Sequence, residues 1–481
     1  MTPLIGFAPD ADQAMPGILS DCTNLVPFVN GMEGGPSAVT PSDVPALAAA
    51  CLGAAVVTNQ AGTRRVYAGT TTHLYELSGG SWTDRSSATY TGGGDTRWSF
   101  AQFGDATLAA NRADAMQRST GGAFAAVAGA PKAEIIFSVG SQLMALNVND
   151  GAEKTNGWHC CAIFDDTDWA TSVTTQAASG RLVATPGAIL AGARLGEYAV
   201  AYKEKSIYLG QYVGAPVVWD WTPVVSDVGC VGKEAICDIG DAHFFVGEDD
   251  FYLFDGTRPV AIGDGVIRQW FIANRSPTYK YRIKCAFDKP SGRVFVHFPS
   301  IGATACDMAL VYHVKTKRWG RADRSVEALL NYISTGLTFD TWSTAGSTFD
   351  TLPSTPYDSA YWLSGAQALS AFNTSHQLQM LNGASASSSM TTAEAGDDDM
   401  VSLLKRVRLR YASGYGPSAA AIQTHFKMNS GDAFTNGDSG TIDDGKFDML
   451  KSARWHRAAI SFTGPVRVTH VDAEIIPVSK R

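Results

Sequence analysis

A short pattern recurs along this chain and constrains its fold more than any other feature. The pattern reads apolar, Tyr, any residue, apolar, then a polar turn, then Trp seven residues after the Tyr. Complete copies lie at Tyr75–Trp82 and Tyr312–Trp319, and copies without the Trp lie at Ile207–Leu209 and Phe251–Phe254. An apolar segment followed by a polar turn and a second apolar segment is typical of a β-hairpin. We therefore expect repeated hairpins.

The spacing of the copies indicates the size of the repeated unit. Tyr208 follows Tyr75 by 133 residues and Tyr252 follows Tyr208 by 44, so the first step is close to three of the second. Two Gly-acid turns, at Gly196 and Gly240, are also 44 residues apart. A unit of roughly 40–50 residues is typical of β-propeller blades. We predict an all-β fold: a β-propeller of about six blades with an additional β-rich platform or tip region.

The composition changes along the chain and suggests four parts. Aromatic-Asp repeats occur at 338–360, and a Ser-rich stretch ending in three aspartates, at 383–400, is predicted to be a mobile polar loop. The predicted parts are an N-terminal arm or platform part at 1–40, the propeller body at 41–335, a tip or linker at 336–400 and a C-terminal β platform region at 401–481.

The charge balance restricts the kinds of partner. Charged residues make up 17% of the 481 residues, below the roughly 25% of ordinary soluble domains, while Trp and Tyr number 11 and 16. Such a composition suggests that some surface is buried against partners. The net charge of −8 argues against a protein held on nucleic acid by counterion release, but it suits a wall along which DNA slides.

The eight cysteines carry no zinc-finger spacing, and no Cys-x-x-Cys pair occurs. We expect buried free thiols in a reducing cytoplasm. Cys160 and Cys161 lie beside His159 and could bind a metal, but a second ligand cluster is missing. We predict no cofactor and no metal.

The chain start and its longest apolar run suggest neither export nor a membrane span. Residues 1–5 lack the basic start of a signal peptide. The Ala-rich run Val44–Val57 is shorter than the roughly 20 residues of a membrane helix, so a buried strand or short core helix is expected there.

Catalytic signatures are missing from the sequence, and we predict that the chain is not an enzyme. No nucleophile elbow, phosphate-binding loop or His-Glu-x-x-His motif occurs. His297 and His313 fall within predicted strands and are expected to pack there. Glu248–Asp250 and Asp397–Asp399 could imitate the carboxylate pair of a glycosidase, but both lie in predicted turns, where solvated loop tips are expected.

Two basic segments near the end of the chain are candidate interfaces. In a strand, alternate residues point to opposite faces, so the arginines of Lys405–Tyr411 share one face and the apolar residues the other. Such a face is either a solvated outer surface or a docking strip for an acidic partner. Arg454–Arg457 offers a similar choice, with Trp455 as a candidate interface anchor. The candidate interface residues are Arg406, Arg408, Arg410, Arg454, Trp455 and Arg457.

Several segments together resemble the tail nozzle proteins of short-tailed bacteriophages, also called packaged-DNA stabilisation or tail-hub proteins. They are Asn24–Pro27, Trp98–Gly104 with Ala109–Asn111, Phe251–Gly256 leading to Ile262–Gly263, the Phe-Asp-Thr tandem at 339–351, and Ala453–Arg457 with Ser461–Gly464. These motifs are spread over most of the chain.

The resemblance implies a virion structural protein without catalytic residues. Nozzle subunits carry a β-propeller and form a six-fold ring below the portal and adaptor. The ring retains packaged double-stranded DNA and conducts it during ejection without reading its sequence. The implied partners are copies of the chain in a hexamer, adaptor proteins and tail fibres or spikes, with contact to the host surface as a further option. The implied location is the phage tail, after synthesis in the host cytoplasm.

Two alternative functions stay open at this point. A lectin-like, glycan- or receptor-binding propeller would use Trp and Tyr on one face of the blades. A propeller glycoside hydrolase would need carboxylates that converge in the central cavity. The nozzle interpretation instead predicts a net acidic or neutral channel lining, and a purified chain that is monomeric or weakly associated until it meets the adaptor.

Overall fold

The computed structural model describes residues 2–41, 44–224, 227–333 and 367–480. Six short strands come first, most of them in a platform beside the propeller. They are β1 (Thr2–Pro3), β2 (Gly6–Phe7), β3 (Ile18–Thr23), β4 (Leu25–Phe28), β5 (Gly31–Gly34) and β6 (Ser37–Val39).

Five four-stranded antiparallel meanders follow, each a blade. Blade 1 is β7 (Ala54–Thr58), β8 (Arg64–Gly69), β9 (Leu74–Ser78) and β10 (Ser81–Asp84). Blade 2 is β11 (Ser99–Phe103), β12 (Ala106–Ala110), β13 (Gln117–Ser119) and β14 (Ala125–Ala126). Blade 3 is β15 (Lys132–Val139), β16 (Gln142–Asn149), β17 (Glu153–Cys160) and β18 (Ala178–Arg181). Blade 4 is β19 (Ile189–Leu195), β20 (Tyr198–Lys203), β21 (Ile207–Gly214) and β22 (Val218–Val224). Blade 5 is β23 (Ile236–Asp238), β24 (His243–Val246), β25 (Phe251–Phe254) and β26 (Pro259–Ala261).

A short helix, α1 (Arg268–Asn274), and a 3₁₀ turn at Lys280–Arg282 lead to the last two modules. One module is β27 (Lys284–Asp288), β28 (Arg293–Phe298), β29 (Met308–His313) and β30 (Arg318–Arg321). The other is β31 (Ala328–Ile333), β32 (Gln367–Phe372) and β33 (Leu378–Gly383), with β6 from the N-terminal segment as its outer strand.

The prediction of an all-β propeller with about six blades is confirmed. Six blades are separate four-stranded sheets. The four strands β27–β30 complete the circle as a further module whose outer strand continues into the platform. Each innermost strand contacts the next one around the ring, and β31 returns to β7. Since β6 completes the last sheet, an early and a late segment of the chain together close the ring.

The sequence repeat marks one position within a blade. All four of its tyrosines lie in the third strand of their modules, β9, β21, β25 and β29. The two tryptophans lie in the fourth strands, β10 and β30. The 44-residue step is therefore one blade, and the 133-residue step is three.

The platform is a sandwich of two sheets that share a core with the propeller. Its C-terminal strands are β34 (Ser387–Thr392), β35 (Ala395–Gly396), β36 (Met400–Tyr411), β37 (Ala419–Lys427), β38 (Thr435–Thr441), β39 (Lys446–Ala453), β40 (Trp455–Thr463) and β41 (Arg467–Lys480). One sheet runs β30-β4-β5-β41-β36-β39, and the other runs β2-β3-β34-β40-β37-β38. Leu404 and Val407 face Ile460 and its neighbours in the core between them.

Trp319 lies where propeller and platform meet. It is buried, and its ring centroid lies 4.7 Å from both Tyr312 and Phe251. A Cβ added to Gly6 in the platform would come within 3.0 Å of the Trp319 carbonyl oxygen, so the two backbones approach closely here. The joint is therefore packed like a domain interior, and we expect the two bodies to move as one.

Three segments differ from the sequence expectations. Residues 383–400 contain strands β34 and β35 rather than forming a polar loop throughout. The reason is that β34 pairs with β3 on one side and β40 on the other, so backbone hydrogen bonds hold it despite its Ser-rich sequence. Of the run Val44–Val57, only 54–57 belong to a strand, β7, and the rest packs without regular structure. Strands β32 and β33 belong to the propeller, and the aromatic-Asp repeats at 338–360 lie outside the described residues.

Candidate functional site

The propeller axis holds a cavity of about 430 Å³ lined by charged residues from several blades. Arg97 lies just before β11, Glu134 is in β15, and Lys284 opens β27. Lys233 and Glu234 lie just before β23. Because these positions lie at or near the starts of innermost strands, the ring geometry brings side chains that are far apart in sequence to one end of the axis.

Glu234 is the centre of this axial cluster. Its carboxylate contacts the Arg97 guanidinium through two oxygens, at 2.9 and 3.1 Å, and the Lys284 ammonium at 2.8 Å. Arg97 also donates to the Glu327 carbonyl oxygen at 2.7 Å, and Lys233 lies 3.5 Å from Glu134. Ion pairs of this kind are costly to break from one side, because the remaining charge stays poorly solvated.

The pKa of Glu234 suits a residue that links blades through ion pairs better than it suits an acid catalyst. Burial alone would raise the pKa of its carboxyl, but the charges of Arg97 and Lys284 outweigh that effect and lower the pKa to about 2. A general acid needs a proton to donate near neutral pH. Glu234 is ionised there, so it cannot fill the acid role of a glycosidase; the axial cluster ties blades together instead.

The cysteines are neutral thiols in the structure. All eight are free; six are buried and two are half-buried. Burial raises the pKa of both Cys160 and Cys161 to about 12, so neither is a thiolate at neutral pH. His159 lies 2.9 Å from the Trp169 carbonyl oxygen through Nε2. Within the four described ranges, no three His, Cys, Asp or Glu side chains group closely enough to hold a metal ion.

One expected loop tip is partly buried. Asp250 accepts hydrogen bonds from the backbone N–H groups of Phe251 at 2.7 Å and Gly263 at 2.9 Å. Its neighbour Glu248 pairs with Lys280 and Arg275. The expectation of a solvated tip is therefore wrong for Asp250, because its carboxylate links the β24–β25 turn to the segment between β26 and α1. Asp397–Asp399 are exposed, as expected of a loop tip.

The basic strip lies on the outer face of β36, with the alternation that the sequence predicts. Val407 and Leu409 are buried, while Arg408 and Arg410 are exposed. Arg406 is held within the chain, 2.7 Å from Asp448 and 3.7 Å from Glu474. Arg408 and Arg410 therefore present the more accessible charge, and a docking role for the strip stays a prediction.

The second candidate segment forms an internal cluster at one end of the platform. Trp455 donates through Nε1 to Asp398 at 2.6 Å, and Arg454 lies 3.2 Å from the Asn429 side-chain oxygen. Arg457 pairs with Glu394 at 2.8 Å. All three predicted residues are half-buried in these contacts, so a partner would meet only part of each.

Several charged residues of these clusters were not singled out from the sequence. Glu394 forms ion pairs with both Lys427 and Arg457. The axial cluster contains Arg97, Glu134 and Glu234. Their partners are far apart in sequence, so no local motif marks them. The available signal was weak: in a chain of low charge, Lys233 and Glu234 stand side by side just before an apolar strand.

Comparisons with known proteins add little beyond the chain's own topology. No family model matches the chain, and no curated protein sequence matches it. The chain is similar to the solved structure of YCF48 bound to D1 peptide, at 12% identity and a TM-score of 0.35, over 62% of this chain and 86% of the other. YCF48 from Cyanidioschyzon merolae is similar at 12% identity and a TM-score of 0.27, over 55% and 95%. Likeness at this level carries no functional argument.

No helix in the part of the chain that the structure describes is both long and apolar enough to cross a membrane.

Proposed function

We propose that this chain is a virion structural protein: a tail nozzle subunit of a short-tailed phage. Copies would form a ring, expected to be a hexamer, that closes the tail tube below the adaptor. The ring would retain the packaged double-stranded DNA and conduct it during ejection, without base-specific contacts.

The observation that carries the proposal is the joint between the two bodies. A propeller and a sandwich share one sheet through β30 and β4, and they share one core around Trp319. A ring of more than two identical subunits needs heterologous contacts, in which one face of a subunit meets a different face of the next. A rigid propeller fused to a platform offers distinct faces for such contacts and for the adaptor.

The axial cluster supports a conduit formed between chains rather than within one. Ion pairs around Glu234 occupy one end of the propeller axis. Double-stranded DNA cannot follow that axis without breaking them. A DNA channel would therefore lie on the axis of the assembled ring, with the walls of several subunits around it.

The motifs behind the resemblance lie at places that shape the fold. Asn24–Pro27 leads into β4, the strand that joins propeller to platform. Ala453–Arg457 and Ser461–Gly464 lie at the two ends of β40, a central strand of the platform. Phe251–Phe254 supplies part of the joint core. These positions define the relation between the two bodies, which supports a resemblance in the whole architecture rather than in a single blade.

The test is assembly with the neighbouring virion proteins. The chain, expressed with the portal and adaptor proteins of the same phage, should add a ring at the adaptor that is visible by electron microscopy. The chain alone should be monomeric or weakly associated by analytical ultracentrifugation. Failure to join the adaptor, together with specific glycan binding on an array, would replace the nozzle proposal with a receptor-binding one.

A further inference from the structure

A groove of about 640 Å³ lies on the propeller face opposite the axial cluster, across blades 3 to 5. It is formed by the turns that follow the innermost strands of these blades. Gly140, Gly196 and Gly240 occupy equivalent positions in the three turns, each with positive φ. The residues that follow them in the chain, Ser141, Glu197 and Asp241, line the groove. The repeated Gly-acid turns of the sequence thus place carboxylates along one rim.

Aromatic side chains form the wall beside these carboxylates. Tyr198 and Tyr212 are 38% and 44% exposed, which is high for side chains of this size in a blade. Tyr212 packs edge-on against the buried Trp219, with ring centroids 5.9 Å apart, and its hydroxyl lies 2.5 Å from the Gln176 side-chain oxygen. These contacts hold the Tyr212 ring in place without covering it.

The charge of the groove has one sign. Glu197, Asp241 and Asp255 line it, and its lining contains neither Lys nor Arg. Asp255 accepts from the Thr257 backbone and side chain, which lowers the pKa of its carboxyl and keeps it ionised. Across the residues that the structure describes, Glu197 and Asp241 have neither an ion pair nor a side-chain hydrogen bond. By contrast, Glu76 and Glu234 each form ion pairs with two Arg or Lys side chains.

We infer that this groove binds an arginine- or lysine-bearing segment of a partner protein. The cationic head group would lie among the carboxylates, and its aliphatic stem would lie along the tyrosine rings. Aromatic faces attract cations, and unpaired carboxylates add a Coulomb term. A neutral glycan could stack on the same rings and donate its hydroxyls to the carboxylates, but it has no charge to balance three negative ones. A metal ion fits poorly, because no group of three ligating side chains occurs among the described residues.

The test uses the purified chain and short fluorescein-labelled peptides, read by fluorescence anisotropy. One peptide carries arginines among glycine and serine residues, and its matched partner carries glutamine in their place. We expect the arginine peptide to bind more tightly than the glutamine peptide. The double variant Glu197→Gln/Asp241→Asn should weaken its binding at least about tenfold, and Tyr198→Ala about threefold.

The control removes the same charge elsewhere. Glu204 and Asp227 are exposed at the other end of blade 4, so Glu204→Gln/Asp227→Asn lowers the negative charge equally without touching the groove. Equal loss of binding in both double variants would overturn the inference in favour of diffuse attraction. Equal binding of the two peptides would also overturn it. So would displacement of the peptide by a neutral oligosaccharide that binds the groove more tightly than the arginine peptide does.

The substituted groove residues are exposed, so the variants should fold, and circular dichroism checks this. The inference does not depend on the nozzle proposal. Peptide binding is measured on the chain alone, so ring assembly and groove binding can succeed or fail separately.

Discussion

The propeller and the platform differ in where their charged and apolar side chains lie. In the propeller, ion pairs converge on the axis around Glu234, within the ring. In the platform, Arg408 and Arg410 stand on an outer face, and the edge strand β39 exposes Leu450 at 79%. Val478, in the last strand, is 56% exposed.

The difference indicates that the propeller is stabilised by its own contacts, whereas the platform surface is suited to contact with partners. Radial repetition leaves the blades only short, protected sheet edges, such as β14 and β26, so the propeller depends little on a partner to satisfy its backbone. The two platform sheets end at longer strands, β38 and β39. Exposed edges and apolar side chains favour association. We therefore expect substitutions on the propeller axis to change stability, and substitutions on the platform surface to change assembly.

The largest effect on stability is expected at the joint between the two bodies. Trp319→Ala should lower the free energy of unfolding by about 4 kcal/mol, because it removes a buried indole between Tyr312 and Phe251. Trp82 holds the matching place in the first repeat but is only half-buried, against Phe372. Trp82→Ala should cost about half as much. Thermal unfolding by differential scanning calorimetry measures both; equal losses would mean that the joint is no more tightly packed than an ordinary blade.

The next effect is expected on the propeller axis. Glu234→Gln should cost about 3 kcal/mol, because Arg97 and Lys284 would lose their shared anion in a confined cavity. Its matched control is Glu474→Gln on the platform, where the carboxylate pairs with Lys405 at 2.9 Å in an exposed setting. That change should cost less than about 1 kcal/mol. If urea-induced unfolding shows the same loss of free energy for both variants, the axial cluster stabilises the chain no more than an exposed ion pair does.

Acid should destabilise the propeller through a buried histidine. His297 lies between the charges of Arg324 and Lys284, and burial is the main reason that its pKa falls to about 3. Between pH 6.5 and 3 the unfolded chain binds a proton there and the folded chain does not, so stability falls as the pH is lowered, by up to about 1.4 kcal/mol per pH unit. The Glu234 contribution is lost later, as the pH falls from 4.5 toward 2.

The variant His297→Gln should therefore unfold with a shallower pH dependence below pH 6.5 than the unsubstituted chain. His456 is the platform counterpart: it is buried against Ser402, and burial also lowers its pKa. Melting temperatures between pH 7 and 4 should flatten more for His297→Gln than for His456→Gln. The reverse order would place the acid-sensitive step in the platform.

The repeat predicts the propeller well because the strands of one blade are neighbours in the sequence. The 44-residue step from Tyr208 to Tyr252 is one meander, and each hairpin forms between neighbouring segments. The platform is harder to predict because its strands come from distant segments. Strand β34 lies between β3 and β40, more than 360 residues from the first of these, and its Ser-rich sequence carries little β signal. Local pattern cannot show such a pairing.

The same distinction explains the candidate sites. The alternation of Arg408 and Arg410 with Val407 and Leu409 is local, and its prediction from the sequence matches the strand. The axial cluster joins Arg97 to Glu234 across 137 residues, and only closure of the ring brings them together. The burial of Asp250 depends on Gly263, which a turn-by-turn interpretation does not include.

The smallest effect on stability, and the sharpest test of the comparison, is expected on the basic strip. Arg408→Glu/Arg410→Glu reverses two exposed charges and should change the free energy of unfolding by less than about 0.5 kcal/mol. If the strip docks an acidic surface of the adaptor, incorporation at the adaptor should fall at least about tenfold. The matched control is Arg64→Glu/Arg258→Glu, which reverses two exposed charges on the propeller. Co-sedimentation with adaptor complexes measures both. Unchanged incorporation of the platform variant would leave the strip as a solvated face, and loss in the propeller variant alone would move the contact surface to the blades.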